Sequence, residues 1–99
     1  VIVKNAAADT LSPTVTISNP TSGQKVGTSV SISASSKDNV GMKSVAVYGD
    51  GKMLCSSTAN VSCTWNTRKF ASGSSHTVSA VATDLAGNLA SASVSIIKQ

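Results

Sequence analysis

The chain has 99 residues, enough for one domain with a modest core, and only 3% of them are aromatic. Its formal charge is +4, carried by basic residues that are scattered apart from the adjacent pair Arg68 and Lys69. That pattern argues against a nucleic-acid face, which needs clustered basic residues beside stacking rings, and no run of eighteen apolar residues offers a membrane-inserted helix.

The chain opens with "VIVKN" rather than a signal peptide, and so reads as a piece of a larger exported protein. Residues 2–5, "IVKN", echo the closing "IIKQ" at 96–99. Residues 1–13 are therefore expected to be the tail of a preceding domain and a linker, with the domain itself at 14–99; the alternative is an extra edge strand at 2–5. From Thr14 onward aliphatic residues alternate with hydroxylated ones. Val15 and Ile17 face away from Thr14, Thr16 and Ser18, and Val30, Ile32 and Ala34 alternate with serines. The same period of two recurs at Val45 and Val47, at Val78, Ala80 and Ala82, and at Val94 and Ile96.

Turn-rich stretches at 19–27, 37–41, 49–52, 71–75 and 84–88 separate these runs. Strands are expected over 14–18, 28–36, 43–49, 52–57, 60–66, 76–83 and 89–97. With no helical stretch between them, the fold class is all-β: an antiparallel sandwich of about seven strands. Cys55 and Cys63 are the only cysteines, with no histidine nearby, so zinc is not expected. A disulfide is expected, implying an oxidising compartment, with two buried free thiols as the alternative. Such a bridge would tie 52–57 to 60–66 across a short hairpin.

The stretches "DTLSPTVTISNPTSGQKV", "SKDNVGMKSVAVYGDGK", "CTWNTRKFASGSSHTVSAVATDLAGN" and "ASVSIIKQ" together resemble the bacterial immunoglobulin-like domains of secreted proteins. The most specific part is "HTVSAVATDLAGN" (76–88); Met42 and the cysteine pair depart from the pattern. The resemblance implies a Greek-key immunoglobulin-like sandwich, often in tandem arrays, attached to exported hydrolases such as subtilisin-like proteases or glycosidases, or to adhesins. It carries no shared catalytic residues and no single ligand, so setting is implied better than mechanism.

Asp84 in "DLAGN" is expected to brace its turn by accepting backbone N–H bonds, with Gly87 and Asn88 as residues that tolerate positive φ; Asp38, Asn39 and Gly41 would brace the 37–41 turn in the same manner. The sharper alternative places Asp9, Asp38 and Asp84 at one pole with Asn39 and Asn88, an oxygen set suited to calcium. No calcium-loop motif and no Glu support it, so no metal or other cofactor is expected. His76 is the lone histidine. Strand 76–83 holds it roughly 26 Å from Asp84 at about 3.3 Å per residue, and Asp50 lies in a turn with no oxyanion motif beside it, so the imidazole is expected to lie far from any orienting acid. No catalysis is expected. Trp65 suits core or rim packing, with a polymer-binding platform as the alternative. "NVS" at 60–62 is a chance glycosylation match.

The sequence thus points to a non-catalytic, monomeric accessory module of a secreted or cell-surface bacterial protein, spacing or orienting neighbouring domains of the same polypeptide. The alternative is adhesion to, or binding of, an extracellular polysaccharide, protein or cell surface through the 37–41 and 84–88 loops or the Trp65 region.

Overall fold

Alternating aliphatic and hydroxylated side chains produce eight strands in the computed structural model, which describes residues 12–38 and 41–99. In chain order they are β1 (Thr14–Asn19), β2 (Gln24–Val26), β3 (Ser29–Lys37), β4 (Met42–Gly49), β5 (Lys52–Ser57), β6 (Asn60–Asn66), β7 (Ser75–Asp84) and β8 (Leu89–Lys98). One sheet has the order β1-β3-β6 and the other β2-β8-β7-β4-β5. Among the described residues only β4–β5 and β7–β8 are hairpins, and every other connection between these strands crosses to the opposite sheet. This is an immunoglobulin-like sandwich. Residues 1–11, and with them Asp9 and the tail expected at 1–13, lie outside the described residues apart from Ser12 and Pro13; Asn39 lies outside them too.

The two inner faces supply the core. Val30, Ile32, Ala34 and Val61 from the three-stranded sheet meet Val45, Val47, Val78, Ala80, Ala82 and Ile96 from the five-stranded sheet. Burying each Val or Ile contributes roughly 1.5–3 kcal/mol, and the alanines along β7 leave room for larger partners opposite. Two buried hydroxyls secure strand ends instead of facing water. Thr67 donates its Oγ1 proton to the Gly27 carbonyl at 2.6 Å, and Ser36 does the same to Ala59 at 2.6 Å.

One expectation is refined here and one corrected. The described residues hold eight strands where about seven were expected, because Gln24–Val26, inside a stretch read as turn, pairs in parallel with Ile96–Lys98. Its three residues offer one buried side chain, Val26, too few for a visible alternation. The Cys55–Cys63 disulfide is present, but it does not span a hairpin. β5 and β6 belong to opposite sheets, so the bridge ties sheet to sheet at an edge.

Candidate functional site

One pole carries the turns expected to hold a metal or a brace. Asp84 is fully buried. Its Oδ1 accepts the backbone N–H groups of Ala86 (3.0 Å) and Asn88 (2.8 Å), and its Oδ2 accepts the Asn88 side-chain amide at 3.0 Å. Gly87 holds φ +91°, a conformation costly for any residue with a Cβ. The neighbouring turn leans on this one. The Gly41 N–H donates to Asp38 Oδ2 at 3.2 Å, the Gly41 carbonyl accepts from Leu85 N–H, and a Cβ at Gly41 would lie 2.9 Å from the Leu85 side chain. Asp38, Asp84 and Asn88 thus share one pole, where Asp38 Oδ2 and both Asp84 oxygens accept hydrogen bonds from the loops themselves. Among the described residues no three His, Cys, Asp or Glu side chains converge as metal ligands would.

The opposite pole holds an arrangement the sequence reading missed. Gly49 pairs with both Lys52 and Val78, which sets the Asp50–Gly51 turn beside the start of β7. Asp50 (φ 51°) and Gly51 (φ 85°) form the left-handed pair that suits a two-residue hairpin. The Asp50 N–H donates to the Thr77 carbonyl at 2.9 Å, and Asp50 Oδ1 accepts the Thr77 N–H at 2.9 Å. Its other oxygen, Oδ2, lies 2.7 Å from His76 Nδ1, and His76 Nε2 lies 2.7 Å from Ser74 Oγ. The expectation that the imidazole is remote from any orienting carboxylate is therefore wrong. Distance along β7 to Asp84 was the wrong measure, because the carboxylate arrives from the adjacent strand's turn.

This Ser74–His76–Asp50 line has the order of a nucleophile, base and orienting acid, and its surroundings constrain what it does. Partial burial pushes the Asp50 carboxyl up, but the Thr77 N–H, the His76 hydrogen bond and the charge on that ring together outweigh it and hold the group below its ordinary value. Ser74 Oγ donates its one proton to the Ala71 carbonyl at 2.6 Å and lies 2.7 Å from His76 Nε2. Acyl transfer also needs free donors for a developing oxyanion. The N–H groups of Gly73 and Ser74 are already committed to the Lys98 and Ala71 carbonyls. Phe70 stacks on the imidazole with centroids 3.8 Å apart. The line clamps the ring in place.

Trp65, at the end of β6, is half-buried and meets Phe70 edge-to-face with centroids 5.3 Å apart. Its indole lies over Gly49, where a Cβ would come within 2.7 Å of the ring. Trp65, Phe70 and Leu54 form the apolar part of a cleft of about 400 Å³. Gly49, Asp50, Asn66, Lys52 and Lys69 complete its lining. Asn66 Oδ1 accepts the Arg68 N–H at 3.0 Å, which fixes the amide at the cleft wall.

The family model described as "Bacterial Ig domain" matches residues 13–80, more than half the chain. The chain belongs to the bacterial Ig domain family. No curated protein matches it. Among solved structures, this bacterial Ig domain is similar to the fibronectin(III)-like modules of Clostridium thermocellum CbhA. That match has 23% identity and a TM-score of 0.70 over 87% of this chain and 97% of that one. It is also similar to part of the endo-beta-1,4-mannanase from Thermotoga petrophila, at 13% identity and a TM-score of 0.73 over 92% of this chain. It spans 20% of the mannanase's length. At these identities the likeness is one of fold.

Proposed function

We propose that this bacterial Ig domain is a non-catalytic accessory module of an exported multidomain protein, one that spaces and orients its neighbours. The observation that carries the reading is axial. Thr14 pairs with Lys37 beside the pole of the Asp38 and Asp84 turns, whereas Gln99 hydrogen-bonds Val26 at the far pole, next to the 71–74 turn. A sandwich crossed from pole to pole sets a fixed length between whatever precedes and follows it. The likeness to one-fifth of a mannanase chain supports membership of a larger polypeptide, and the disulfide supports an oxidising, exported setting. The committed N–H groups around Ser74 support the absence of catalysis.

The test has two arms. The chain of residues 1–99 is expected to be a stable monomer that hydrolyses no peptide, ester or glycoside; hydrolysis abolished by His76→Ala would overturn the reading. In a parent polypeptide, replacing the domain with a Gly/Ser linker of equal length is expected to broaden the distance distribution between its neighbours in small-angle scattering. An unchanged distribution would remove the orienting role.

A further inference from the structure

We propose that the cleft beside the Asp50 turn is a binding site for a carboxylated pyranose unit of an acidic polysaccharide. The cleft volume of about 400 Å³ falls in the range of small-ligand sites, roughly 300–1,000 Å³. Its apolar wall is a corner: the Trp65 and Phe70 planes stand at 77° to each other. A flat base could stack on one of these rings only. A puckered chair presents C–H groups in two directions, each attracted to the electron-rich face of a ring.

The polar lining decides the ligand further. Asp50 is an acceptor for sugar hydroxyls, held ionised by the Thr77 N–H and His76. Asn66 presents its side-chain amide beside the aromatic corner. Two ammonium groups, Lys52 and Lys69, border the same cleft as this single carboxylate, and the chain carries a net +4. The excess of positive charge complements a uronate carboxylate, and its contribution is expected to be screened by salt.

The corner is built in advance. Gly49 leaves the space the indole occupies, and His76 stacks behind Phe70 while anchored at both ring nitrogens. A preorganised wall lowers the ordering cost of binding, so that a few weak contacts suffice for measurable affinity.

The experiment is an amide NMR titration of the 99-residue chain with tetragalacturonate, cellotetraose and AMP. Tetragalacturonate is expected to shift the Trp65 indole N–H, the Asn66 side-chain amide and the Gly49 and Asp50 amides, with a dissociation constant on the order of 1 mM. The double variant Lys52→Ala/Lys69→Ala leaves the aromatic corner intact and is expected to weaken binding about fivefold, a difference that disappears in about 0.5 M salt. Absence of shifts at about 20 mM ligand, shifts confined to the Asp84 pole, or equal binding of cellotetraose or AMP would overturn the proposal.

Discussion

Asp84 shows how much one side chain can hold. It satisfies two backbone N–H groups and an amide within one turn. Asp84→Ala would leave those donors without an acceptor in a buried site, at a cost of about 2–3 kcal/mol in chemical denaturation. At the other pole, Gly49→Ala would force a methyl group into the Trp65 ring. A loss of about 1–3 kcal/mol and a shift in tryptophan emission are expected. Asp50 sets a pH dependence whose sign follows from its depressed carboxyl. The folded chain takes up this proton less readily than the unfolded chain, so the stabilisation is complete above roughly pH 4. It is lost as the pH falls through the lower folded-state value. With the Asp50 side chain 44% exposed, the effect is modest. The stability gap between wild type and Asp50→Asn is expected to shrink as the pH falls below about 4; a gap unchanged there would show that the carboxylate's charge is immaterial.

At the scale of the strands, β5 forms one edge of the larger sheet, and its Lys52, Met53, Ser56 and Ser57 are exposed. The disulfide therefore sits where burial contributes least. Reduction, or the Cys55→Ser/Cys63→Ser pair, is expected to lower stability by about 2–3 kcal/mol, as closure of a short loop implies. The far-ultraviolet spectrum should stay unchanged, since the remaining ladders do not depend on it. Most strands were legible in the sequence because a buried face repeats every second residue, as along Val45–Val47 and Val78–Ala82. The Cys55–Cys63 pairing was legible because a chain with two cysteines can form one internal disulfide only, and free thiols were the lesser alternative. The sheet-to-sheet path of that bridge was not, since nothing local to 55–63 records which sheet each strand joins. The Asp50–His76 contact was hidden for the same reason: it depends on Gly49 facing Val78 across a ladder, a register that neither segment carries alone.

Across the whole molecule, interleaved connections make the two sheets mutually dependent. β3 lies between β1 and β6, its sequence neighbours β2 and β4 lie in the other sheet, and Thr67 fastens the end of β6 back to the Gly27–Thr28 segment. A single cooperative transition is expected on unfolding. Trp65 emission, which reports one pole, and backbone circular dichroism, which reports every strand, should give coincident denaturation curves. A separated fluorescence transition would mean that the cleft opens on its own.

The parallel alignment of β2 with β8 has a mechanical consequence. When tension runs through the chain from Thr14 to Gln99, these two strands are drawn past each other along their length. The load then falls on the hydrogen bonds at Gly23, along Gln24–Val26 and at Gln99 together instead of unzipping them one by one. A patch only three residues long thereby acts as a shear clasp, letting a small domain resist stretching when its two ends are pulled apart.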